Sequence, residues 1–427
     1  MSNGVPGKRA GQCRIRVSGC RVRFSCQRFV IYSLWHFCKY PAPPDFGRLG
    51  ADGNVTSSTA QSLVPCGGSS LAGKSQRDAA LKGIEAGRAR SLAVRAVALL
   101  IPLMMAGCAP LFVVSSLQPG AFLLLNLSYL SLAILAGGIV VGARAVLHRM
   151  GRAAPLDPSQ KPWLLGAIAA TAVTLSYFQV FKQLVLPGRG FPLDPLIAAA
   201  EQKLLLGYDA WEVTHALFGS LLPTLILDTA YALWLPIMFL FPAAVVVAIA
   251  DRQVRGRLVG TWVISWILIG SFGAWLLASA GPCYFNALVG PHEGYVRMTE
   301  ALHALDRQAS NYGLSVQALY FQDMLRQSQG GPLVFASGIS AMPSMHVAMA
   351  TLFVIGGFQK SRRLGYFFLC YAVLIWIASI HLGWHYAADG ILGALMMTSL
   401  WLVSAPIARL IAFGVRAAAP AKQLQTS

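Results

Sequence analysis

Two histidines and an aspartate interrupt stretches of this chain that are otherwise apolar. "AMPSMHVAMA", residues 341–350, sets His346 in the first turn of an apolar run, and "SIHLGWHYAADGILGAL" carries His385 and Asp389 four residues apart. Ionisable side chains at such depths are costly in a membrane and usually functional. On a helix beginning near His385, that spacing sets imidazole and carboxylate on one face. The aspartate then holds one ring nitrogen and leaves the other aimed outward as a nucleophile or base. Each residue alone has an ordinary explanation. His346 suits a solvated helix end, Ser344 a helix cap, and Asp389 the positive end of a helix. Their combination at one membrane depth, from two different spans, is harder to explain that way. His381 extends the series to i, i+4, i+8, which suits a metal only if one helix runs through. Gly383 and a turn there argue against that, so no metal is expected. Trp384 and Tyr386 are read as interface anchors.

The elements that must position these residues follow from composition. Of 427 residues, 56% are hydrophobic and 12% charged, too few charges to cover a soluble surface. The expected fold is all-α, a polytopic membrane helix bundle. Apolar runs at about 96–117, 122–142, 163–184, 229–250, 258–280, 343–358, 364–383 and 386–407 make about eight transmembrane helices. The net charge of +18 does not call for nucleic acid. Arg144, Arg149, Arg152 and Lys161, then Arg252, Arg255 and Arg257, then Lys360, Arg362 and Arg363 fill alternate connections. With a basic N-terminus, they place both termini in the cytoplasm and the catalytic cluster at the extracytoplasmic helix ends. The expected location is a bacterial inner or plasma membrane. The long connections 185–228 and 281–342 fall outside, the first as interfacial or re-entrant helices and the second as a cap with a helix around 295–308. Residues 1–92 read as a disordered basic segment, consistent with a start codon assigned too far upstream. Five of the eight cysteines lie there, in no zinc-binding spacing. Two N-terminal spans in 93–162, a membrane core over 163–413 and a cytoplasmic tail over 414–427 complete the expected organisation.

"PSMH" and "HYAAD" resemble the second and third signature motifs of the type-2 phosphatidic acid phosphatase superfamily. They are closer to its inositol phosphorylceramide synthase-like branch, where Pro-Ser-apolar-His replaces Pro-Ser-Gly-His. The resemblance spans about 165–410, its specific part 343–350 and 379–393. It implies that His385 attacks phosphorus to form a phosphohistidine, that Asp389 holds its tautomer, and that His346 protonates the leaving oxygen. Ser344, Met345, Ser379 and His381 are the expected phosphate contacts, with the amides after Pro343 at a helix N-terminus. No cofactor is implied. The implied partners are a lipid phosphate and, for a transferase, an alcohol acceptor such as inositol. Two departures stand out. The first motif of the phosphatases, Lys-x6-Arg-Pro, finds no Arg-Pro dipeptide here, and Ser379 stands where an arginine is expected six residues before His385. Lys182, Arg189, Arg297, Arg307 and Arg326 are the candidate replacement cations. The expected function is a membrane lipid phosphatase or phosphotransferase. The rival reading is a transporter or channel using the same residues as a proton or ion relay.

Overall fold

The apolar runs fold as helices, and no strand occurs among the residues that the computed structural model describes, 119–329, 333 and 335–417. The expected span at 96–117 and the segment 1–92 lie outside them, as do residues 418–427. The helices are α1 (Pro119–Arg149), α2 (Lys161–Leu184), α3 (Asp194–Leu204), α4 (Ala210–Phe218) and α5 (Leu221–Ala248). Then come α6 (Arg252–Leu276), α7 (Pro282–Leu288), α8 (Glu293–Ser310) and α9 (Gln317–Gln327). The chain closes with α10 (Met345–Lys360), α11 (Arg362–His381) and α12 (Ala387–Ala417).

Six of these, α1, α2, α5, α6, α11 and α12, are long and apolar enough to cross a membrane. The expected span at 343–358 is α10, which has 16 residues. At 1.5 Å per residue it is about 24 Å long, short of a hydrocarbon core of about 30 Å. It sits inside the bundle, against α11, α12 and α5, so its ends need not meet lipid. Ala348, Ala350, Gly356 and Gly357 are all buried on it. Small residues let helix backbones approach closely where lipid supplies no hydrophobic drive to associate.

Local chemistry fixes where the motif helices begin. Ser344 and Ser361 are N-caps whose side chains accept from the N–H of Val347 and Leu364. Within α6, Trp266–Gly273 takes the wider π geometry, and Ser271 Oγ donates to the Trp266 carbonyl at 3.0 Å. That widened turn sets Gly270 against Met345 and Gly273 against Pro343. The cap helices dock onto the turn between α11 and α12. Asp228 of α5 accepts from the Gln317 and Ala318 N–H groups at the start of α9, and Gln322 Nε2 donates to the Leu382 carbonyl at 2.8 Å.

Candidate functional site

His346 is the second residue of α10, and His385 lies just before α12. The two starts are bonded directly, since the Ser344 N–H donates to the Asp389 carbonyl at 3.0 Å. Gly393 makes the approach possible, because a Cβ there would stand 2.5 Å from the Ser344 carbonyl oxygen. His385 Nδ1 and Asp389 Oδ2 are 3.3 Å apart, and the His346 and His385 ring centroids are 6.0 Å apart at 61°. Asp389 is completely buried and His385 is 5% exposed. With Nδ1 held by the carboxylate, Nε2 is the free ring nitrogen.

The helix starts at Ala387, two residues after His385, so His385 stands outside it and a shared helical face is not what joins the pair. Gly383, at φ +75°, ends α11 in a turn, and His385 precedes α12 by two residues. Asp389 reaches back over the helix start, where its Oδ2 also accepts from the Tyr386 N–H at 3.0 Å. This is the acidic half of a capping box, which satisfies a donor the helix cannot.

The other expected residues fall in three places. Ser344 is buried, with its hydroxyl accepting from Val347 N–H at 3.4 Å. Met345 is the first helical residue, and its N–H and that of His346 point out of the helix start, with no intrahelical acceptor within reach. Ser379 is buried, its hydroxyl donating to the Trp376 carbonyl at 2.7 Å. Its carbonyl accepts from the N–H of Trp384 at 2.9 Å and of His385 at 3.1 Å, so it meets the histidine through the backbone. His381 turns elsewhere. Its Nε2 meets Thr224 Oγ1 at 2.9 Å, and its ring stacks on His215 at 4.1 Å. Burial lowers the pKa of His215, favouring the neutral ring. Tyr386 is no interface anchor. It is completely buried, and its hydroxyl donates to Asp194 Oδ1 at 2.9 Å.

One group of neighbours escaped the sequence reading. Tyr231 and Trp234, from the middle of α5, pack on the His346 ring with centroids at 4.4 and 4.1 Å, and Trp234 Nε1 donates to the His346 carbonyl at 3.0 Å. Tyr231 also stacks on Trp384 at 6.0 Å. Its hydroxyl and Trp384 Nε1 are buried without a partner among the described residues. Both are donors, and each is costly to bury unpaired. The candidate replacement cations divide. Arg297 pairs with Glu212 and Arg326 with Asp323, each at about 3 Å, while Arg307 is exposed. Lys182, on α2, has its Nζ 5.7 Å from the centroid of the Phe178 ring. Lys182 and Arg189 are separated by six residues, the spacing of the missing first motif, with Gly190 where proline is expected. The spacing is present in the sequence without the Arg-Pro dipeptide.

A family model for the PAP2 superfamily matches residues 195–403. The matched stretch runs from α3 into α12 and contains His346, His385 and Asp389. No curated protein and no solved structure matches the chain.

Proposed function

We propose that this protein is a lipid phosphatase or phosphotransferase that works through a phosphohistidine on His385. The observation that carries the reading is the joining of the two motifs: His385 bonded to buried Asp389, with the His346 ring facing it at 6.0 Å between centroids. Nε2 of His385 attacks phosphorus and forms the P–N bond as the P–O bond to the lipid alcohol breaks. His346 gives its proton to the departing oxygen. It then takes one from the incoming water or alcohol, whose oxygen breaks the P–N bond and releases His385. Asp389 stabilises the positive character that His385 gains. The N–H groups of Met345 and His346, the Tyr231 hydroxyl, Trp384 Nε1 and Lys182 are the donors offered to the phosphoryl oxygens.

The Pro-Ser-Met-His form of the second motif favours the inositol phosphorylceramide synthase-like branch, and with it an alcohol such as inositol as acceptor. The alternating basic connections favour an extracytoplasmic site with cytoplasmic termini. Purified protein incubated with radiolabelled lipid phosphate, with and without inositol, tests the reading. Release of inorganic phosphate marks a phosphatase, and labelled inositol phosphate ester a transferase. If neither forms across a panel of lipid phosphates, the proposal fails.

A further inference from the structure

Helix α3 contributes nothing to the transfer chemistry, yet two of its carboxylates end on the turn that carries His385. Asp194 is completely buried and accepts from four donors. These are the N–H groups of Ala280 at 2.8 Å and Gly281 at 2.9 Å, the Ser279 hydroxyl at 3.3 Å and the Tyr386 hydroxyl at 2.9 Å. Glu201, two turns further along the same helix, accepts from the Ala387 N–H at 2.7 Å. Ala387 is the first residue of α12, so its N–H has no acceptor within its own helix. The two residues that follow the nucleophile are thus gripped from one helix, one by its side chain and one by its backbone.

The orientation of α3 argues that this grip is more than packing. A helix at a membrane interface ordinarily turns its leucines to the acyl chains and its acids to water. Here Leu196 and Leu204 are 67% and 82% exposed, while Asp194 and Glu201 are buried. Burial raises both carboxyls, Glu201 to about 7, against the bonds that favour their ionised forms. The titratable groups around Glu201 are Asp389 of α12, Asp209 ahead of α4, and Tyr295 of α8. His292 lies 4.0 Å from Asp209, and Lys203 is exposed on α3 itself.

We infer that Asp194 and Glu201 are positioning residues that hold Tyr386 and Ala387 so that His385 faces His346, and that ionised Glu201 holds the turn more tightly than neutral Glu201. The inference rests on His385 as the nucleophile. An ionised carboxylate accepts the Ala387 N–H more strongly. Turnover therefore rises with pH as Glu201 loses its proton.

The test uses the full-length protein with Asp194→Asn, Glu201→Gln and Tyr386→Phe, the last removing only the link from Asp194 to the turn. One readout needs no substrate: the rate at which diethylpyrocarbonate modifies His385, located by mass spectrometry. It should rise severalfold in all three variants, because a 5% exposed ring is released. The second is kcat and KM against pH on a lipid phosphate. In Glu201→Gln kcat should fall about tenfold to hundredfold, as for a displaced catalytic group, with KM little changed. The limb near neutral pH should disappear in that variant while any limb due to the histidines remains. Unchanged modification rates in all three variants, or a neutral limb that survives Glu201→Gln, overturns the inference. A wild type that turns over no lipid phosphate sinks the functional reading instead, and the modification rates still decide this one.

Discussion

Replacing Gly281 by alanine perturbs the nucleophile's turn from a residue that itself has no place among the phosphoryl donors. Gly281 has φ 92° and ψ 164°, and its N–H donates to Asp194 Oδ1. That backbone region is essentially restricted to glycine, and a side chain there costs about 1–3 kcal/mol. A Cβ would also stand 2.6 Å from the Trp384 carbonyl oxygen and 3.1 Å from the Ala341 Cβ. Neither is the far end of a flexible side chain, so backbone must shift, at about 1–3 kcal/mol for overpacking. The sum is about 2–6 kcal/mol. It appears either as lost stability or as a displacement of Trp384, whose neighbour is His385. Thermal unfolding in detergent and kcat on a lipid phosphate read the two routes. Gly290→Ala is the control, since nothing lies within 4 Å of a Cβ there and its φ is not positive. If Gly281→Ala melts and turns over like the wild type, the turn is not rigidly seated and the positioning argument fails with it.

Tyr231→Phe keeps the ring on His346 and removes a hydroxyl without a partner among the described residues. Stability should stay within about 0.5 kcal/mol while kcat/KM falls by about tenfold to hundredfold, the value of one hydrogen bond to a charged oxygen. Equal kcat/KM would remove Tyr231 from the site. Lys182→Met should raise KM more than it lowers kcat, and more than Arg326→Met, whose partner is Asp323; equal effects from the two would deny Lys182 a phosphate role. The stability of the wild type should fall as pH rises between about 4.5 and 7, because Glu201 is raised from 4.5 to about 7 and the folded state holds its proton more tightly. The full swing is of order 3 kcal/mol at 1.36 kcal/mol per unit. Melting temperatures across that range should be flatter in Glu201→Gln, and parallel curves would contradict the burial argument.

Hydropathy made the bundle legible because span length is set by bilayer thickness, and α1, α2, α11 and α12 begin close to the expected positions. Hydropathy misplaces a helix start where a buried polar residue lies within the span. The span expected from 229 begins at Leu221 and contains buried Asp228, whose carboxylate is satisfied by the N–H groups of Gln317 and Ala318 far along the chain. The helix expected around 295–308 runs Glu293–Ser310. The basic residues used for orientation carry structural duties too. Arg255 donates to the Ile249 and Ala250 carbonyls, and Arg257 lies over the Trp401 ring at 3.9 Å. At the site, the four-residue spacing of His385 and Asp389 anticipated their contact for the wrong local reason, since a cap and not a helical face brings them together. Tyr231 and Trp234 had no local signal. An aromatic residue in an apolar helix reads as packing until the partner across the bundle is known.

Trapping the covalent intermediate tests the central claim most directly. Wild-type protein is incubated briefly with radiolabelled lipid phosphate, quenched in base, digested and mapped. The account predicts label on His385 that survives base and is lost in acid, as a phosphoramidate is. The label should be absent from His385→Ala. In His346→Ala it should form best from lipids with good leaving groups, which need no proton. Label on another residue, or full turnover by His385→Ala, would contradict it.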